Sequence, residues 1–205
     1  MGPAFAIRTT ICGLEELDRH SDRGVTHILS LLDPNSPEPE IFGTYQPHRR
    51  TTLRFHDEID PGPNLVLPQA EHVEKILAFG RSLAAQAGNG GERHILVHCH
   101  MGISRSTAAT AAILAAIHPV ESEDAIFSEL LRQRPEAWPN CLMIAFADDL
   151  LARNGRLVSA LGGLYAAQLV RRPDLGPYLR KHGRGREVDM AAAPSLGRSG
   201  SDVRL

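Results

Sequence analysis

The sequence predicts an α/β fold: a central, mostly parallel sheet of four to five strands flanked by helices, with an extra helix toward the C-terminus. Three observations predict it. Thr26–Leu32 and His94–Val97 are apolar runs of strand length, suited to strands buried on both faces. Gln69–Gln86 repeats Val73, Ile76, Leu77, Gly80 and Leu83 at helical spacing. Strand-like and helix-like segments alternate along the chain, the pattern of a sheet with helices on both faces. In such sheets ligands bind beyond the C-terminal ends of the strands, and the segment after Val97 lies there.

The elements follow in order. Ala4–Ile7 reads as a short strand and Gly13–His20 as a short helix or turn. After the strand Thr26–Leu32, four prolines mark Asp33–Arg50 as a loop, which is expected to set the depth of any pocket. Leu53–His56 alternates apolar and polar residues and suggests a further strand, and Asp57–Pro68 is loop again. The helix Gln69–Gln86 is broken by Ala87–Glu92. An Ala-rich helix follows Arg105 and stops before Pro119. Ser122 is suited to cap a helix over Ser122–Arg132. Pro139–Arg153 is the next helix, stopped by Asn154-Gly155, and Leu157–Val170 forms one more amphipathic helix. Gly183–Leu205, rich in Gly, Ser, Arg and Ala without periodicity, reads as flexible.

The chain of 205 residues fits one domain, 1–170, with a tail, 171–205. The net charge of −2 gives no reason to expect nucleic acid. Charge is uneven: 171–205 carries eight basic against four acidic residues, whereas 1–170 carries fourteen against twenty. Cys12, Cys99 and Cys141 are odd in number and form no Cys-x-x-Cys pair, which argues against a secreted disulfide framework. With no signal-peptide pattern at the N-terminus and no apolar run of membrane length, no membrane partner is expected and a reducing cytoplasm is the simplest home. Oligomeric state is not legible.

The chemistry concentrates in His98-Cys99-His100-Met101-Gly102-Ile103-Ser104-Arg105-Ser106. A short loop entering a helix N-terminus aims several backbone N–H groups at one spot and favours a bound oxyanion. Gly102 permits a turn that a side chain would obstruct. The planar fork of Arg105 can hold two oxygens at once. The same positive surroundings favour an ionised sulfur at Cys99, and Ser106 can donate a hydrogen bond toward it. Six residues after Cys12 stands Asp18 and six after Cys141 stands Ala147, so only Cys99 has the Cys-x5-Arg spacing.

This string resembles the His-Cys-x-x-Gly-x-Ser-Arg-Ser pattern of dual-specificity phosphatases, within the cysteine-based protein tyrosine phosphatase superfamily; the slingshot-type members are similar in this string. GVTHILSL and RPEAWPN (Arg134–Asn140) are similar to further stretches of that family, and the resemblance covers roughly residues 4–153. It implies the superfamily's α/β fold, a phosphorylated protein as partner, and hydrolysis of phosphotyrosine through a cysteinyl-phosphate, with phosphoserine and phosphothreonine open. It implies Cys99 as nucleophile, and His100, Met101, Gly102, Ile103, Ser104 and Arg105 as the phosphate cradle. It implies structural support from His98 and Asn140, the latter equally explained as a helix cap, and no metal or organic cofactor. It also implies a general acid after an upstream strand, where Asp57 fits and Asp60 is its rival.

Other readings stand beside this one. The same chemistry could serve a phosphoinositide or an RNA 5′-phosphate, although His100 is the only basic candidate inside the loop. The loop could bind phosphate without hydrolysis, as a pseudophosphatase, or belong to a rhodanese-like or arsenate-reductase-like enzyme. His94, His98 and His100 alternate along a strand, but a metal site is the weaker account of them. Cys12 and Cys141 are best read as buried apolar side chains, with a redox partnership to Cys99 open.

Overall fold

The computed structural model describes residues 7–85 and 93–192. Among these, four strands form one parallel sheet: β1 (Arg8–Cys12), β2 (His27–Leu32), β3 (Arg49–Arg54) and β4 (His94–His98), in the order β1-β4-β2-β3. Cys12 pairs with His98, Leu29 with Val97 and Leu31 with Leu53. Every residue of β2 and β4 is buried, including the polar His27, Ser30, His94 and His98 among their apolar residues. The predicted fold class is the one observed.

Side chains alternate across the sheet and so divide the interior into two cores. Leu29, Leu31, Ile95 and Val97 face the larger core, built with helices α1 (Ala70–Ala85), α2 (Arg105–Ile117), α3 (Glu123–Gln133), α4 (Cys141–Leu150), α5 (Arg156–Arg171), α6 (Leu175–Lys181) and α7 (Gly185–Ala192). Ile28 and Leu96 face the smaller core, closed by Leu17, Phe42 and Tyr45. That second face therefore carries two short 3-10 turns, Leu14–His20 and Glu40–Thr44, in place of full helices. Gly80 lets α1 approach α2 closely: a Cβ there would lie 3.0 Å from Ile113 Cγ2.

Two strands begin elsewhere than the sequence predicts. Strand β1 covers Arg8–Cys12 and not Ala4–Ile7, and residues 4–6 lie outside the described set. Strand β3 runs Arg49–Arg54, ahead of the expected Leu53–His56 and into the expected loop. Both are edge strands with half-exposed polar residues, so their apolar pattern is weak. The break at 87–92 also lies outside the described residues.

The segment read as a flexible tail from residue 171 is folded through residue 192; residues 193–205 lie outside the described set. Buried Leu157, Leu161, Leu164 and Tyr165 seat α5 on the main core, and Leu179 of α6 and Val188 of α7 join them. Asp148 of α4 caps α5, accepting from Gly155 N at 2.6 Å and Leu157 N at 2.7 Å, so Asn154-Gly155 starts a helix as much as it stops one. Glu187 of α7 is fully buried, and it is fully hydrogen-bonded. Its Oε1 accepts from Cys141 N (3.0 Å), Tyr165 OH (3.1 Å) and Arg184 Nη2 (2.8 Å); its Oε2 accepts from Trp138 Nε1 (2.6 Å) and Arg184 Nε (2.8 Å). A buried carboxylate with five donors anchors the extension to the loop ahead of α4.

Candidate active site

Each strand ends at the same place. Gly13 follows β1, Asp33 follows β2, Asp57 lies just past β3, and Cys99 follows β4. The loop 99–104 then turns into α2.

The loop's carbonyls are turned outward and bonded there. His100 O accepts from Leu14 N (2.9 Å), and Met101 O from Arg134 Nη2 (3.1 Å). Ile103 O accepts from Trp138 N (2.9 Å), and Ser104 O from Ala108 N (2.9 Å) and Asn140 N (3.4 Å). A trans peptide carries its N–H opposite its C=O, so the amides of Met101, Gly102, Ser104 and Arg105 face the other way, into the loop. This is a ring of donors at a helix N-terminus, an arrangement that binds an oxyanion. Gly102 makes it possible. Its φ is +73°, and a Cβ there would lie 2.5 Å from Cys12 C and 2.7 Å from Gly13 N.

Cys99 Sγ lies at the base of the loop, 3.2 Å from Ser106 Oγ. The Arg105 side chain is 3 % exposed. Its Nη1 donates to Asp33 Oδ1 at 2.6 Å and to the Phe55 carbonyl at 2.7 Å, which uses both hydrogens on that nitrogen. Its Nε is buried with no partner among the described residues. Nε and Nη2 are the two nitrogens that form a bidentate fork, so the guanidinium is clamped at one corner and retains the edge that grips two oxygens. His98 packs behind the cysteine, with Nε2 2.7 Å from Ser30 Oγ. Burial drives its pKa down to about 4, and the ring stays neutral.

Asp57 lies across the pocket. Its Oδ1 accepts from Ser104 Oγ (2.7 Å), Asn140 Nδ2 (3.0 Å) and Arg184 Nη1 (3.1 Å). Burial opposes ionisation of this carboxyl. The charges of Arg184 and Arg105 and the hydrogen bonds from Ser104 and Asn140 outweigh burial and hold it below the usual carboxylate range. Asp60 pairs with Arg186 Nη1 at 3.4 Å and does not line the pocket.

The structure thus brings together all the sequence-predicted site residues, with adjustments. Ser104 points its hydroxyl at Asp57, linking cradle to carboxyl. Asn140 fills both predicted roles: Oδ1 caps α4 by accepting from Met143 N at 3.1 Å, while its backbone N–H and Nδ2 brace the loop and Asp57. His100 and Met101 are exposed at the mouth. His94 sits at the far end of β4, with Nε2 2.7 Å from Thr10 Oγ1, so the three histidines do not converge. Cys12 and Cys141 are buried free thiols; burial, and next Glu187, push Cys141 up to about 12.

Sequence reasoning missed Asp33 and Arg184. It also misassigned the pocket wall. The pocket, about 610 Å³, is lined by none of residues 33–50; its outer wall comes from the C-terminal extension, with Leu175, Tyr178, Leu179 and His182. Asp33 follows a buried parallel strand directly, the one signal that marked it. Arg184 gave none.

No protein-family model matches the chain, and no curated protein matches it by sequence. Its structure is similar to that of DUSP15, with TM-score 0.51 and 20% identity over 83% of this chain and 96% of the other. It is similar to the Yvh1 phosphatase domain from Chaetomium thermophilum, with TM-score 0.50 and 23% identity over 73% and 93% of the two chains. Human DUSP28 gives TM-score 0.50 and 19% identity over 71% and 94%. The fold is that of dual-specificity and tyrosine phosphatases.

Proposed function

We propose that the chain is a cysteine-dependent phosphatase acting on phosphotyrosine in proteins. The observation that carries this reading is the thiol of Cys99 set beneath a ring of inward amides, closed by an Arg105 whose fork is unspent.

In the first step the phosphoryl group sits in the cradle, its equatorial oxygens on the loop amides and on Nε and Nη2 of Arg105. The Cys99 thiolate attacks phosphorus, the S–P bond forms, and the ester P–O bond breaks in line. Asp57 gives its proton to the departing phenolate oxygen. In the second step the Asp57 carboxylate takes a proton from water as that water attacks phosphorus. Ser106 Oγ–H stabilises the sulfur as it leaves. Charge on the equatorial oxygens changes most along this path, and there the cradle's fixed donors are concentrated. No redox step arises, and no cofactor is called for.

An aryl ester is favoured by the wall above the cradle. Ile103, Trp138, Leu175, Tyr178 and Leu179 form a largely apolar channel suited to a phenyl ring. Short serine and threonine phosphates would leave that surface uncovered. The test is hydrolysis of matched phosphotyrosine and phosphoserine peptides by wild type and Cys99→Ser. The expected result is turnover of the phosphotyrosine peptide, at least ten times slower turnover of the phosphoserine peptide, and none in the variant. Tight binding without turnover by folded wild type would make the chain a phosphate reader instead.

A further inference from the structure

We propose that Arg184, carried in by the C-terminal helices, is a positioning residue for Asp57, fixing carboxyl oxygen Oδ1 and leaving Oδ2 to carry the proton. This rests on the reading of Asp57 as the general acid.

The geometry is specific. Arg184 has five N–H groups, and all five are used. Nη1 donates to Asp57 Oδ1 and to the Asp57 carbonyl, each at 3.1 Å. Nη2 donates to Ser104 Oγ at 3.1 Å and Glu187 Oε1 at 2.8 Å; Nε donates to Glu187 Oε2 at 2.8 Å. A guanidinium so spent has nothing left for a phosphate, which separates its role from that of Arg105. Instead it ties three elements together: the loop that carries Asp57, the cradle, and α7.

Two residues on, Arg186 Nη2 donates to the Ile59 carbonyl at 2.7 Å. The turn into α7 therefore grips the loop 57–60 at two points. Among the described residues, every hydrogen bond to the Asp57 carboxyl falls on Oδ1, from Arg184, Ser104 and Asn140. An oxygen holding three donors has no room for a proton, so the proton of the acid form resides on Oδ2.

The groups facing Asp57 are Arg184 from the turn before α7, Arg105 and Ser104 from the start of α2, and Asn140 from the start of α4. Glu187 stands directly behind Arg184. Cys99, Glu58, His100, Glu136 and His182 line the same pocket. Of these, Arg184 is the cation bonded to the carboxyl itself. Its removal raises the pH at which Asp57 gives up its proton.

The test is the pH profile of kcat/KM in the full-length protein, for wild type, Arg184→Lys, Asp57→Asn, and Arg184→Met combined with Glu187→Gln. The double variant replaces a buried ion pair with a neutral pair of similar volume and is expected to fold. The expected result is a basic limb moved up by about half a pH unit or more in the double variant, with a greater loss of kcat on phenyl phosphate than on 4-nitrophenyl phosphate. Arg184→Lys keeps the charge and loses the fork, so kcat falls on phenyl phosphate at a little-changed limb. A limb that vanishes in Asp57→Asn but does not move in the folded double variant overturns the positioning role alone. A limb that survives in Asp57→Asn overturns the acid assignment, and this proposal with it. If the double variant does not fold, Arg184→Lys decides: kcat on phenyl phosphate equal to wild type overturns the proposal.

Discussion

Arg105 Nη1 stands 2.6 Å from Asp33 Oδ1, an ion pair in which the arginine is buried and the aspartate is 43 % exposed. The pair holds one corner of the guanidinium and leaves Nε without a partner among the described residues. In Asp33→Ala the fork loses one of its two anchors and the Phe55 carbonyl remains. The expected outcome is a KM for 4-nitrophenyl phosphate raised about 10-fold with a smaller fall in kcat, since a charge-assisted bond contributes about 1.5–3 kcal/mol and one anchor survives. Arg105→Lys removes the fork itself, and kcat is expected to fall about 100-fold or more. Steady-state kinetics on both variants checks the contrast.

In the proposed mechanism Ser106 Oγ, 3.2 Å from Cys99 Sγ, serves the step in which sulfur leaves. In Ser106→Ala the second step slows more than the first. Rapid-mixing measurements with 4-nitrophenyl phosphate are expected to show a burst of nitrophenolate close to one per active site, followed by slow turnover. An equal slowing of both phases contradicts this role.

Gly102→Ala places a Cβ 2.5 Å from Cys12 C at a φ of +73°. Neither the backbone of β1 nor the loop can yield cheaply. The variant is expected to lose about 2 kcal/mol or more of stability and nearly all activity. Thermal melting together with a phosphatase assay tests it.

Glu187→Ala leaves Arg184 Nε and Trp138 Nε1 without their acceptor in a dry interior, while Arg184 keeps its bonds to Asp57 and Tyr165 OH keeps the Pro139 carbonyl. Removing one partner of a buried ion pair typically costs about 3–5 kcal/mol. A fall in Tm on the order of 10 °C is expected for a chain of this size. A Tm within a degree or two of wild type contradicts the buried network.

Asp57 is held below the usual carboxylate range, so it sheds its proton at a lower pH than an ordinary carboxyl. The protonated fraction falls as pH rises, and kcat/KM is expected to decline along a basic limb in the acidic range. Asp57→Asn removes that limb and lowers kcat about 100-fold or more on phenyl phosphate. By linkage, the ionised carboxylate stabilises the fold above the unfolded carboxyl range, and that contribution is lost as pH falls through its folded pKa. Urea melts of wild type and Asp57→Asn along a descending pH series are expected to converge.

The parts of the fold legible in the sequence are those with strong local patterns. Strands β2 and β4 are buried throughout, and their apolar stretches Ile28–Leu29, Leu31–Leu32 and Ile95–Val97 stand out in the sequence. The cradle is one contiguous string, and Gly102, Arg105 and Ser106 stand in it at fixed offsets from Cys99. Strands β1 and β3 were displaced because edge positions such as Thr9, Thr10, Thr51 and Thr52 are only half-buried and carry little apolar signal. The C-terminal helices were missed for a different reason. They are held by Leu179 and Val188 in the main core and by Glu187 with its donors, most of them far off in the chain, while their own composition is rich in Gly and Arg, which locally reads as tail. Asp33, marked only by its place after a buried strand, and Arg184, not marked at all, each meet their partner across more than 70 positions of sequence.

In the proposed mechanism the sulfur of residue 99 bonds covalently to phosphorus. Acid quenching during turnover of 4-nitrophenyl phosphate, followed by peptide mass spectrometry, tests it most directly. A phosphoryl adduct on Cys99 is expected, more abundant in Ser106→Ala and absent from Cys99→Ser. Undiminished turnover by Cys99→Ser, or an adduct confined to another residue, would contradict it.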